Sequence, residues 1–338
     1  MNVKEREVMY QTFLKENQNI ITGSLAAIDL SVEDIASISE GQHPGIESVK
    51  EDANTKTFVV KHHGHHLEIR IVKKTPKDPH AFINECMVRE HLIRIPSKLV
   101  MAFVPDTVAM NFQLGYIVST YRQTSELIAL DFSQYETLFK TLWDLERSQI
   151  FASSLSAKNL AIHDNEVVLT DVSSLVPFDP TNDYNHEGLT LPQVHMIERL
   201  EKGFLLDAWG IMEVEESLEK AIENIKIEKA AALIVYMEKQ RYLQTHKGSI
   251  TITAWMTGLI DDIKKFLVGP EECWHEYMSQ KYRSYVKDMV DELDAAAIAP
   301  VTLKKLDFLI QYAQNDQAKD RYLRMKNEAL EKPIVEEV

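Results

Sequence analysis

Residues 151–180 read FASSLSAKNLAIHDNEVVLTDVSSLVPFDP. Two short apolar runs, 160–162 and 167–170, flank the polar triplet His163-Asp164-Asn165. Apolar, β-branched runs around a polar turn predict a hairpin. It begins just after Asn159 and ends at Asp171, twelve residues on. Folding it in half brings an amide oxygen and a carboxylate together. Two hard oxygen ligands on one side of a cleft suit Mg²⁺ carrying phosphates. The plainer reading has Asn159 capping a loop and Asp171 capping the segment after the strand. The spacing and the flanking apolar residues agree together on the metal reading.

Upstream of the hairpin the pattern is mostly strand. Residues 1–36 are predicted helical, and 41–45 (GQHPG) form a turn. Strands are predicted at 47–49, 57–61, 67–73, 99–104 and 116–121. The second and third of these flank HHGHH, with Gly64 at the turn position that takes positive φ. Phe82, Ile83, Met87, His91 and Leu92 recur at helical spacing and predict a helix over 79–95, ended by Pro96. A helix is predicted over 133–148. Downstream the sequence reads as helix throughout, near 192–225, 226–245, 250–268, 271–295 and 302–331. The expected class is therefore α+β with two lobes: an N-terminal helical extension (1–37), a small mostly β lobe (38–122), and a large mostly α lobe with a C-terminal helical extension (123–338). A cleft between lobes is a common place for a ligand.

Charge narrows the partners. The 338-residue chain carries a formal net charge of −15, which argues against nucleic acid or an anionic membrane surface. No apolar run approaches the length of a membrane span. The charged N-terminal segment lacks an apolar signal core, so a cytosolic setting is expected; a protein exported without a cleaved signal has the same appearance. Cys86 and Cys273, the two cysteines, are expected to be reduced buried thiols. His62, His63, His65 and His66 are a polar turn rather than a metal site, since a hairpin tip offers no fixed coordination geometry. Trp143, Trp209, Trp255 and Trp274 read as core.

The hairpin and its surroundings resemble the protein-kinase superfamily. Residues 154–159 (SLSAKN) have the rhythm of that family's catalytic loop, and Asp171-Val172-Ser173 stands where it has Asp-Phe-Gly. The resemblance implies that Asn159 and Asp171 bind Mg²⁺ on ATP. It implies a phosphate-holding cation on the third strand of the lobe, where LEIRIVKK puts Arg70, and a Glu from the next helix to orient it. Glu85 lies fifteen residues after Arg70; Glu90 is the alternative with Lys73 as the cation. The strand at 116–121 leads to the hinge, placing 119–122 near the adenine. Residues 206–210 are similar to the Asp-x-Trp-x-x-Gly helix of the C-lobe. No Gly-rich phosphate loop is present. Ser154 stands where the family keeps its catalytic Asp, and a hydroxyl is neither charged nor a base at neutral pH. Losing base and positioning together costs on the order of 10²–10⁴ in rate.

The leading expectation is thus a pseudokinase with a degenerate catalytic loop, binding ATP and Mg²⁺ and acting through a protein partner. A second is an atypical phosphotransferase or nucleotidyltransferase using ATP. A third is a helical interaction protein without a nucleotide site.

Overall fold

The structure is a computed structural model that describes residues 3–16, 18–73, 79–127, 130–157, 159–185, 195–269, 300–313 and 315–334, with scattered residues between 278 and 298. Its class is α+β. The helices are α1 (Val3–Lys15), α2 (Val32–Ser39), α3 (Pro79–Leu92), α4 (Lys98–Phe103), α5 (Phe132–Arg147), α6 (Met196–Leu200), α7 (Leu206–Glu215), α8 (Leu218–Thr245), α9 (Ile250–Val268), α10 (Pro300–Gln311) and α11 (Asp316–Leu330). The strands are β1 (Ile21–Gly23), β2 (Ile46–Glu51), β3 (Thr55–His62), β4 (His65–Val72), β5 (Thr107–Asn111), β6 (Tyr116–Thr120), β7 (Ile150–Ala152), β8 (Leu160–His163), β9 (Glu166–Leu169) and β10 (Leu175–Pro177). Contacts divide the chain into two compact units, Met1–Ala208 with Ile227–Asp261, and Trp209–Lys226 with Asp262–Val338. The expected boundary at 122–123 lies inside the first.

The first unit is built on an antiparallel six-stranded sheet in the order β1-β5-β6-β4-β3-β2. Alternation sorts its residues to two faces. Leu67 and Ile69 of β4, with Phe58, Val60 and Val118, pack against Ile35 and Ile38 of α2 and the Leu25–Ile28 turn. Met110 and Ile117 on the other face meet Phe82, Ile83 and Cys86 of α3, and Tyr10 and Phe13 of α1. Arg70 is registered against Ile117 and so belongs to the α3 face. Capping explains where α2 and α5 begin. Ser31 and Asp131 each open a capping box, with Asp34 and Gln134 returning the bond. His63 and Gly64 take φ 46 and 85 in the β3–β4 turn, the left-handed pair that a tight hairpin requires. His63 and His65 are exposed, but His62 is buried, its Nε2 at 2.9 Å from the Asp29 carbonyl.

Strand β2 is an edge. Among the described residues it pairs only β3, with a register shift between Ile46 and Ser48, and all of its residues after Ile46 are exposed. Glu47 pairs with Lys61, and Glu51 with Lys56, across to β3.

Several expectations are corrected. Residues 99–103 of the stretch 99–104, predicted as a strand, belong to helix α4, whose N-cap Ser97 accepts from the Val100 N–H and whose C-cap is Val104. A short uninterrupted apolar run fits either element, and here the cap decides. The strand of that region is β5. The predicted helical stretch 1–36 is broken by β1, which adds a sixth strand beside β5. The predicted helix 192–225 is α6, one turn of π-helix over Glu201–Leu205, α7 and the start of α8. That over 302–331 is broken before α11, where Asn315 caps the Ala318 N–H. Most of 271–295, including Cys273 and Trp274, lies outside the described residues. Cys86 is a free, buried thiol, and burial pushes its pKa up. Trp143 and Trp209 are buried, and Trp255 is half-buried against Tyr184.

In the second unit α10 and α11 pack through Leu306, Leu309, Tyr322 and Ala329, with Tyr285 and Met289 in the same cluster. Trp209 donates its indole N–H to Asn224 Oδ1 at 3.0 Å. No helix among the described residues is long and apolar enough to cross a membrane.

Candidate functional site

The site is assembled by β4, α3 and the segment after β9. Period two puts Glu68 and Arg70 on the face of β4 that α3 covers. The helical period brings Glu85 and Arg89 to one stripe of α3. Arg70 Nη1 donates to Glu85 Oε2 at 2.9 Å and to Asp171 Oδ1 at 3.0 Å. Arg89 grips the other oxygen of Glu85, with Nε at 3.0 Å and Nη2 at 2.9 Å. Arg89 Nη1 is held in turn by Thr107 and Ser119. The Glu85 and Arg89 side chains are 2% exposed, Arg70 11% and Asp171 40%. The ionic pair is therefore buried at the helix and opens toward solvent only at Asp171.

Asp171 is turned inward by its own loop. Ser173 gives it a backbone N–H to Oδ1 at 2.9 Å and a hydroxyl to Oδ2 at 2.8 Å. Burial pushes its pKa up, but the Arg70 guanidinium and the Ser173 donors outweigh that and hold it below the usual carboxylate value. Burial similarly opposes the charge of Arg70, and Glu85 and Asp171 more than restore it, raising its pKa. Glu68 lies in the same field and moves the other way: burial raises it toward the neutral acid. Among these groups one buried donor, Arg70 Nε, has no protein acceptor.

Asn159 sits at the other end of the hairpin. Its carbonyl accepts from the Thr170 N–H at 2.9 Å, and Leu160 pairs with Leu169. This ladder brings the two ends of the 159–171 segment together. The Asn159 side chain is spent on its own loop, however. Oδ1 accepts from the Ser156 N–H at 2.8 Å, and Nδ2 donates to the Ser154 carbonyl at 2.8 Å. Ser154 is exposed. Asp164 on the hairpin turn is 90% exposed.

Lys73 and Glu90, the alternative pair, lie apart. Lys73 bonds Glu51 at 2.7 Å, and Glu90 bonds Arg94 at 2.5 Å. In the region expected near an adenine, Ser119 is occupied by Arg89, and Arg122 reaches the Met101 carbonyl at 3.2 Å. A separate cavity of about 240 Å³ is lined by α4, α5 and the β8–β9 turn, including Phe103, Leu138, Asp131 and Asp164, and none of the Arg70 cluster lines it.

Mg²⁺ fits these side chains poorly. Three donors already occupy the Asp171 carboxylate, and the Asn159 amide oxygen is satisfied by Ser156. A metal ion on Asp171 would share that carboxylate with the Arg70 guanidinium, which is 3.0 Å from Oδ1, and like charges on one carboxylate repel.

Sequence reasoning passed over Arg89 and Ser173. The first was detectable as the residue four after Glu85, and the second as a hydroxyl two after an Asp, an ordinary Asx-type turn.

A second ionic cluster backs the loop. Gly203, in the π-helical turn, lies so close to residues 155–156 that a Cβ there would meet the Leu155 carbonyl oxygen at 2.0 Å. The same turn contributes Glu201, which accepts from the Lys229 ammonium at 2.7 Å. Glu228 is fully buried, 3.3 Å from that ammonium and without an aligned hydrogen bond. Burial, reinforced by Glu201 and opposed by Lys229, pushes the Glu228 pKa up to about 8. Between the ordinary carboxylate range and that value the folded chain holds a proton that the unfolded chain has released. Stability accordingly falls as pH rises from about 4.5 to about 8. Glu228→Gln is expected to flatten that slope and to raise stability at pH 8 by about 1–3 kcal/mol. Urea unfolding at pH 5 and pH 8 measures both; a variant that is no more stable at pH 8 than the native chain would show that Glu228 is ionised in the fold.

A scan against protein-family models and a search of curated proteins found no match to this chain.

Proposed function

We propose that this chain is a two-lobed, kinase-like protein with a degenerate catalytic loop, a pseudokinase that works by binding protein partners and not by transferring phosphate. The observation that carries the reading is the cation of β4 held between a helix carboxylate and a hairpin-end carboxylate, Arg70 between Glu85 at 2.9 Å and Asp171 at 3.0 Å. Counted from β2, β4 is the third strand, and α3 is the helix that follows it. These are the places the resemblance assigns to the phosphate-binding cation and its Glu. The catalytic position supports the inactive half of the reading. Ser154 offers no carboxylate, and its own carbonyl accepts from Asn159 and from Ser174, at 2.8 Å and 3.2 Å. ATP is the cleft ligand that the resemblance implies, bound here without turnover. The helices beyond residue 215 exceed what a minimal C-lobe needs and are where a partner is expected.

The test is ATP consumption by the full chain, followed with Mg²⁺ and with Mn²⁺, on the native protein and on Asp171→Ala. Both are expected to stay at the background rate. Turnover by the native chain that disappears in Asp171→Ala would replace this reading with that of an active ATP-dependent transferase.

A further inference from the structure

We infer that Arg70 is this site's resident cation: its guanidinium takes the place of a divalent metal on Asp171, so that the cleft works without Mg²⁺. The inference rests on the kinase-like reading only for where a metal is expected. Its own basis is the occupancy of the ligand atoms.

A divalent site needs oxygen lone pairs directed at empty space. An ionised carboxylate has about four such positions. On Asp171, Oδ1 accepts from Arg70 Nη1 at 3.0 Å and from the Ser173 N–H at 2.9 Å, and Oδ2 from the Ser173 hydroxyl at 2.8 Å. The second expected ligand is committed likewise, Asn159 Oδ1 to the Ser156 N–H at 2.8 Å. Three of the positions on Asp171 are thus taken, and the only charged donor among them is Arg70.

Charge gives an independent argument. Two guanidinium groups, Arg70 and Arg89, are paired with two carboxylates, Glu85 and Asp171. A divalent ion on Asp171 would compete with Arg70 for that carboxylate. Arg70 would then lose one of its two counter-ions in a site whose helix side is 2% exposed, a costly arrangement. The choice of arginine fits this role. Arg70 donates to both carboxylates from one nitrogen, Nη1; a guanidinium stays charged under all ordinary conditions and is more weakly hydrated than an ammonium.

Removing Arg70 should therefore create the metal site that the native chain lacks. Arg70→Gln leaves Glu85 and Asp171 facing each other without their shared cation. The experiment titrates Mn²⁺, alone and with ADP present, into the full chain, and reads bound Mn²⁺ by electron paramagnetic resonance. Native protein and Asp171→Asn are expected to bind Mn²⁺ equally weakly. Arg70→Gln is expected to bind roughly tenfold tighter or more, and Arg70→Gln/Asp171→Asn to lose that gain. Native binding that Asp171→Asn abolishes would overturn the inference, and so would a folded Arg70→Gln with no gain. Near-UV circular dichroism reports folding; should Arg70→Gln not fold, the comparison of native protein with Asp171→Asn decides alone. Mn²⁺ binding at Asp171 without ATP turnover sinks this inference and leaves the pseudokinase reading standing. ATP turnover sinks that reading instead.

Discussion

Arg70→Met is expected to lower the stability of the first unit by about 3–5 kcal/mol, because it strips the shared counter-ion from buried carboxylates. Glu85 bears most of the cost, being 2% exposed; Asp171, at 40% exposed, recovers water and contributes less. Arg89 remains on Glu85 Oε1, which keeps the loss toward the lower end. The pH dependence has a definite sign. In the native chain Asp171 has a depressed pKa, so its contribution is present above the ordinary carboxylate pKa and disappears as pH falls through the depressed value. In Arg70→Met the part of the depression due to the guanidinium is gone while that due to Ser173 stays, and the difference between native and variant should shrink in acid. Arg70→Lys should recover part of the loss, since the charge returns on a more strongly hydrated ammonium. Urea unfolding of the full chain measures each. A loss below about 1 kcal/mol at neutral pH would place the pair among exposed surface bridges and remove its claim to organise the site.

Gly203→Ala is the second large effect. Alanine normally stabilises a helix relative to glycine by about 1 kcal/mol, and Gly203 has no left-handed backbone to defend. Yet the added Cβ would stand 2.0 Å from the Leu155 carbonyl oxygen and 3.1 Å from its carbon. The obstacle is backbone, so no rotamer change relieves it. The π-helical turn or the 154–159 loop has to move, and overpacking of this kind costs about 1–3 kcal/mol. We expect the clash to win, with a net loss of about 2 kcal/mol and altered exchange of the Asn159 amide protons by NMR. An unchanged or raised melting temperature would mean that loop and helix are not in contact.

Much of the sheet was legible because its signals are local. The β3–β4 hairpin announces itself through alternation and the His63-Gly64 turn, α3 through its apolar period, and the β8–β9 hairpin through a polar triplet between two apolar runs. Arg70 and Glu85 could be matched because strand and helix follow each other directly. What sequence did not disclose depends on partners distant in the chain. β1 has three residues and is a strand only because β5 lies beside it. β5 itself carries few strand signals, and the more apolar 99–104 drew the prediction although a serine cap makes it a helix. Asn159 and Asp171 were legible as neighbours. That both oxygens already accept bonds was not, because the donors are a guanidinium 101 positions upstream and backbone amides of the loop. The π-helical turn is likewise invisible in a composition that differs little from ordinary helix.

Among the described residues, helices lie on both faces of the six-stranded sheet, and its rims are where another chain could extend it. One rim, β1, is too short to template a neighbour. The other, β2, is exposed along nearly its whole length, but its ladder is interrupted between Ile46 and Ser48 and it carries Glu47, Lys50 and Glu51. Irregular register and alternating charge are how native sheets discourage edge-to-edge addition. On this principle the irregular, charged rim of β2 disfavours edge-to-edge addition, and substitutions that make positions 47–51 regular and apolar are expected to favour it.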